Sequence, residues 1–188
     1  MFSYAFKTGF FKKPVTILPN SGAKVVICYR KYKLNFKMIQ ITKITTPEEL
    51  EKAFEIRKQV FVIEQDVDPE EEYDEFENTS THYLAYYNNE AVGTARWRYT
   101  SPQTIKLERF AILKDYRDKK VGREILRHIL GIVKMLQPKK IYLHAQIQVV
   151  DFYKKAGFIA VGEQFSEANI LHYKMIYSPL KNESERME

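Results

Sequence analysis

The chain has 188 residues, 45% hydrophobic and 29% charged, which suits one soluble domain with a buried core. No apolar run reaches the roughly 20 residues that cross a bilayer, and a single cysteine, Cys28, excludes an intrachain disulfide and leaves everything after it without a thiol nucleophile. The net charge of +6 comes from one end: residues 1–37 hold eight basic residues and no acid, so residues 38–188 sum to −2, which argues against a general nucleic-acid binder for the body.

Residues 1–37 also hold Pro14, Pro19 and an Asn20-Ser-Gly22 turn signal, with strand-like runs at Val15–Leu18 and Lys24–Tyr29. They lack the apolar stretch and cleavage site of a secretory signal. They read as a basic N-terminal extension, with the domain proper opening at Met38 and a polar tail at 181–188; a strand-forming addition to the fold is the rival reading. From Met38 the pattern is regular. Ile39, Ile41 and Ile44 lead into Thr46-Pro-Glu-Glu49, where Thr46 is an N-cap, Pro47 the first helical residue and Glu49 the partner in a capping box. That helix runs toward Phe61. The acidic run Asp66–Glu77 breaks the periodicity and reads as loop or ragged helix. Its bland role is a solvated loop, and its functional one a mouth attracting a cationic amine.

His82–Tyr87 and Ala91–Tyr99 form a hairpin over Asn88-Asn-Glu90, and Ile105–Leu113 is the next strand. Val121, Ile125, Leu126, Ile129, Leu130, Val133 and Leu136 share one helical face, ended by Pro138. Lys140–Ala145 is a strand, Val149–Ala156 a short helix stopped by Gly157, and Phe158–Phe165 with His172–Ile176 close the sheet. The order β, α, ββ, β, α, β, α, ββ indicates an α/β fold.

Two segments carry chemistry. Leu107 to Arg123 reads as strand, tight basic turn and helix start, an arrangement that aims backbone N–H groups and a helix dipole at one point and so attracts phosphate. Asp151-Phe-Tyr-Lys-Lys-Ala-Gly-Phe158 places a tyrosine on a short helix. Together they suggest an enzyme that holds a phosphorylated carrier beside a proton donor.

In order along the chain stand Val60-Phe-Val-Ile-Glu-Gln65, Asp74 with Glu77, His82, Ala95-Arg96, Leu107-Glu-Arg109, Arg117 to Gly122, Leu143-His-Ala-Gln146, Phe152 to Phe158, and His172 through Met175. This set resembles the GNAT superfamily of acyl-CoA-dependent N-acetyltransferases, in its ElaA/YjcF-like branch, from Met38 to Tyr177. The resemblance implies a mixed, splayed central sheet flanked by helices. By that resemblance the pantetheine arm of acetyl-CoA is expected in the gap between the strand ending near Ile112 and that at Lys140–Ala145, and the pyrophosphate on the turn Arg117, Asp118, Lys119, Lys120, Val121, Gly122 and Arg123. Arg117 and Gly122 fit the family's turn, but Lys120 stands where a glycine is usual. With negative φ there the amides still point inward; with positive φ the cost is of order 1–2 kcal/mol.

The resemblance places Tyr153 near the sulfur, and a phenol is a suitable general acid for a departing thiolate; its bland role is a core aromatic. Glu108, mid-strand among apolar residues, must be paired or useful. It is the expected general base, against a structural bridge to Arg96 or Arg109. A backbone N–H near Phe110 or Ala111 is expected to hold the oxyanion, with Ala111, Ile112 and Leu113 lining the pantetheine. His82, His144 and His172 show no metal-ligand spacing, and His144 or His172 is an alternative base. Gln146 is read as orienting its neighbours. The expected activity is acetyl transfer from acetyl-CoA to a primary amine, on a small molecule or a peptide, without metal, in the cytoplasm, by a monomer or homodimer with no membrane partner. The rivals are a CoA-binding module without transfer, nucleic-acid binding through residues 1–37, and acyl-homoserine-lactone synthesis.

Overall fold

The computed structural model describes residues 39–178; the expectations for 1–37 and for 181–188 lie outside the described residues. β1 (Ile39–Lys43) leads to α1 (Pro47–Arg57), which starts where its capping residues require. Thr46 is extended, and its hydroxyl accepts from the Glu49 N–H at 3.3 Å. The Glu49 carboxylate reaches back not to the N-cap but one residue further, to the Thr45 N–H at 2.8 Å, so the expected capping box is displaced by one position. The helix widens into a π-helical turn over Lys58–Ile63, and the Glu64 N–H donates to the Gln59 carbonyl at 3.1 Å. Within the acidic run, α2 (Pro69–Glu72) forms behind Asp68, whose side chain accepts from the Glu70 N–H at 2.8 Å.

The strands β2 (Thr81–Tyr87), β3 (Glu90–Ser101), β4 (Thr104–Ile112), β5 (Lys140–Gln146), β6 (Phe158–Glu167) and β7 (Ile170–Tyr177) join β1 in one sheet of order β1-β2-β3-β4-β5-β7-β6. Every neighbouring pair is antiparallel except β4–β5. Asn88 and Asn89 both have positive φ, as the two-residue turn between β2 and β3 requires. Ala168 and Asn169 do the same between β6 and β7, each of which therefore extends two residues closer to the turn than the sequence pattern indicated.

α3 (Val121–Met135) buries Val121, Ile125, Leu126, Ile129, Leu130 and Val133 against one face of the sheet, with α4 (Val150–Lys155) beside it. Each such side chain contributes about 1.5–3 kcal/mol. Leu136, expected on that stripe, is the C-cap and 45% exposed, because the helix has already ended. Ala53 and Ile56 of α1 pack with Leu84 and Ala111 on the opposite face.

Two irregularities shape what lies between the layers. On β4, three steps from Glu108 to Ala111 face two steps from Arg96 to Thr94 on β3, a bulge with Arg109 at φ 56°. The β4–β5 ladder ends at Lys106↔Tyr142, although β4 continues to Ile112 and β5 to Gln146. Beyond that pair the sheet splays open, as expected.

Candidate active site

A cavity of about 880 Å³ occupies the splay. Leu107, Phe110, Ile112 and Leu143 line it from the two parted strands, Arg117 and Gly122 from the start of α3, and Phe152 and Tyr153 from α4. On the β4 side, the Leu113 N–H donates to the Val92 carbonyl at 2.9 Å. Alternation along an antiparallel pair turns the Ala111 N–H the same way. The Ile112 peptide groups therefore face the gap, where the Ile112 carbonyl accepts from Arg117 Nε at 3.1 Å. This corrects two expectations. Ala111 and Leu113 turn their amides to β3 rather than to the cavity, so of the two residues expected to hold an oxyanion only Phe110 remains.

The turn ahead of α3 is a 3-10 segment, Lys114–Lys119, followed by Lys120 in the left-handed region (φ 67°, ψ 10°). No side chain caps α3. Its first intrahelical bond runs from the Glu124 N–H to the Lys120 carbonyl at 3.1 Å, which leaves the amides of Val121, Gly122 and Arg123 ahead of it. The residues thus fit a diphosphate through backbone donors, at the cost of the strain that a lysine carries at positive φ. Asp118, Lys119, Lys120 and Arg123 are exposed along the turn. The Val121 side chain is fully buried in the core, so only its amide belongs to the site. A Cβ added at Gly122 would lie 3.7 Å from Ile112 and 3.8 Å from Phe152, between the cavity walls. Arg117 is held by Glu64 through two contacts of 2.6 Å.

Tyr153 is buried, with the ring edges of Phe152, Phe158 and Phe110 at centroid distances of 5.0, 5.9 and 6.1 Å. Its hydroxyl has no hydrogen-bond partner among the described residues. Burial pushes the phenol well above the ordinary tyrosine range, so it keeps its proton.

Glu108 also lines the cavity, but three cations surround it. One carboxylate oxygen accepts from Arg98 Nε at 2.8 Å and from Arg96 Nε at 3.2 Å; the other lies 3.0 Å from Lys106 Nζ. Burial favours its neutral form, but Arg96, Lys106 and Arg98 outweigh burial and hold the carboxyl below the usual range. Such a group is a poor proton acceptor, which corrects the expectation of Glu108 as base and supports the alternative of a bridge to Arg96.

The acidic run is only partly solvated. Arg57 pairs with Glu72 and, at 2.7 Å, with Glu77. Arg96, with no exposed surface, holds Asp74 at 2.5 Å and Glu77 at 2.9 Å. Arg109 donates to the carbonyls of Glu71 and Glu72 at 3.1 and 3.2 Å and to Asp74 at 3.2 Å. Three carboxylates thus clamp the segment to the sheet as the far wall of the cavity. Gln146 donates to Gln65 at 2.7 Å across it. His82 Nε2–H donates to the Glu77 carbonyl (2.8 Å), His172 Nδ1–H to the Ile170 carbonyl (2.8 Å) and His144 Nδ1–H to Glu167 (2.9 Å), three separate sites. Sequence reasoning missed Glu64, Lys106 and Glu167 as site residues. Glu64 stood within a quoted motif, whereas Glu167 gave no signal because the turn at Ala168–Asn169 lacks glycine.

Residues 42–179 match the sequence profile of the acetyltransferase (GNAT) domain. The chain belongs to this GNAT family. The uncharacterized N-acetyltransferase YjcF of Bacillus subtilis is 40% identical over 130 residues, covering 69% of this chain and 92% of YjcF. ElaA of Escherichia coli is 30% identical over 125 residues, covering 64% of this chain and 82% of ElaA. The crystal structure of ElaA superposes with a TM-score of 0.68 over 75% of this GNAT domain's chain and 100% of ElaA, at 27% identity. A GNAT family acetyltransferase from Elizabethkingia anophelis, solved with acetyl-CoA bound, shares the fold at a TM-score of 0.55 and 22% identity, over 73% of this chain and 94% of that one. The ElaA/YjcF-like branch and the splayed α/β fold are thereby shown.

Proposed function

We propose that this GNAT domain transfers an acetyl group from acetyl-CoA to a primary amine by direct attack. Family membership implies acyl transfer from an acyl-CoA; the acetyl group and the amine are our reading. The observation that carries it is the splay beyond Lys106↔Tyr142, which opens one cavity between uncapped amides at the start of α3 and the Tyr153 hydroxyl. The amides of Val121, Gly122 and Arg123, with Arg117, would hold the diphosphate. The Ile112 peptide would receive the pantetheine arm as a further strand, and the Phe110 amide the oxyanion. Tyr153 holds a proton for the departing thiolate, and the apolar rings around it disfavour both anions alike, so burial does not oppose the transfer.

Calorimetry with CoA, followed by thiol release from acetyl-CoA in the presence of spermidine, tryptamine or a lysine peptide, tests this. Binding with release supports transfer. Binding without release under any acceptor favours the CoA-binding module instead. Tyr153→Phe is expected to keep CoA affinity and to lower transfer roughly 10²–10⁴-fold; unchanged turnover removes Tyr153 from the role.

A further inference from the structure

Lys106↔Tyr142 is the last pair of the β4–β5 ladder. Two residues beyond it on each strand stand Glu108 and His144, on the same face of the sheet and on opposite banks of the split. Both line the cavity. An amine entering the split needs a proton acceptor, since alkylamines are protonated near neutral pH. Glu108 is committed to Arg96, Arg98 and Lys106.

We propose that His144 accepts the proton of the incoming ammonium, with Glu167 as its positioning residue; this rests on the transferase reading above. Nδ1 of His144 lies 2.9 Å from Glu167 Oε2. A carboxylate only accepts, so Nδ1 carries the hydrogen and Nε2 keeps its lone pair. Among the described residues nothing is hydrogen-bonded to Nε2, and the side chain is 22% exposed within the cavity wall. The Phe165 ring edge at 4.8 Å and Tyr142 at 5.8 Å fix the imidazole plane. The His144 hydrogen bond holds the Glu167 carboxyl down to about 2, so it stays ionised at any working pH and is ready to balance an imidazolium.

His172 is the nearest competitor and differs in kind. Its Nδ1 is spent on the Ile170 carbonyl of its own strand, it is 8% exposed, and no carboxylate is hydrogen-bonded to it among the described residues. A charged ring there would feel Glu167 only through space, without the hydrogen bond that joins Glu167 to His144. The other charged groups facing His144 are Lys106 and Glu108 on β4, which pair with each other, and Lys174, its cross-strand partner on β7, whose ammonium lies over the Tyr142 ring at 4.9 Å.

The protons balance as follows. One leaves the ammonium for Nε2, and the neutral amine forms the N–C bond as the C–S bond breaks. The thiolate takes the Tyr153 proton, the tyrosine regains one from the acylated nitrogen, and the imidazolium releases its own to solvent. One amide, one thiol and one proton result.

His144→Gln and Glu167→Gln test the assignment, with CoA calorimetry, acetyl-CoA thiol release against pH using the acceptor set above, and ¹⁵N-histidine spectra. H144Q should bind CoA as the parent does, lose 10²-fold or more in kcat/KM, and lose the acidic limb of the pH profile. E167Q should retain more activity and shift that limb to lower pH, because the imidazolium loses its counter-ion. The spectra should show Nδ1–H on neutral His144. The proposal is overturned if H144Q keeps both rate and limb while the parent transfers, or if the neutral ring carries its hydrogen on Nε2. A parent that binds CoA but transfers to none of the acceptors overturns the transferase reading itself, and the base role with it.

Discussion

Lys120 carries a conformation better suited to glycine. At φ 67° a lysine costs about 1 kcal/mol that glycine would not, less the few tenths by which glycine favours the unfolded chain. Lys120→Gly should therefore raise stability by about 0.5 kcal/mol in urea denaturation; a loss would mean that the lysine side chain contributes contacts of its own. Glu64 raises a different question, because its carboxylate occupies the arginine expected to grip a diphosphate. The pair is partly exposed, at 41% for Arg117 and 34% for Glu64, so breaking it costs little. Glu64→Gln frees Arg117 and removes a like charge from the diphosphate, and CoA should bind about three- to tenfold more tightly by calorimetry. Weaker binding would show that Glu64 preorganises the arginine.

At the scale of elements, the segment between α1 and β2 is held by charge as well as by the packing of Val67 and of Tyr73 on Phe54. Arg96, on β3, reaches Asp74, Glu77 and Glu108 and has no exposed surface. Arg96→Met leaves three carboxylates without their shared cation, and breaking a buried pair from one side costs about 3–5 kcal/mol. Guanidinium denaturation should show that loss, with new proteolytic cleavage within residues 66–80. A loss below about 1 kcal/mol would place the stability of this wall elsewhere. Arg109 ties the same wall to the bulge on β4, so the strained backbone at φ 56° and the acidic segment hold each other in place.

For the domain as a whole, the charges set how stability follows pH. His82 is lowered from 6.5 chiefly by burial. Below that value the unfolded chain takes a proton that the folded one resists, so stability falls first there. Asp74, Glu77 and Glu108 are lowered because their arginine and lysine partners outweigh burial. Glu167 drops from 4.5 to about 2 through His144. Groups of this sign stabilise the fold above their unfolded values and lose that contribution as pH falls through the folded ones. Melting temperature should thus be flat from neutrality toward about pH 10, where the buried Tyr153 begins to resist ionisation that the unfolded chain undergoes, decline gently below pH 6.5 and fall steeply below about 4.5. A flat profile down to pH 3 would contradict the network.

The amino-acid pattern by itself determined what short-range physics governs. The cap at Thr46, the stripe on α3, the Asn88–Asn89 turn and the stop at Gly157 each rest on residues a few positions apart. It also carried the ordered motifs from which the family and the splayed sheet were legible, with Tyr153 in the wall of the cavity. Only the tertiary structure decided which charged groups meet. Glu108 finds Arg96 12 residues away and Arg117 finds Glu64 53 residues away, while Glu167 reaches His144 across β7 through a turn with no glycine to mark it. Basicity depends on those neighbours and on burial, which one-dimensional spacing does not encode, and so spacing alone leaves Glu108 and His144 both open as bases.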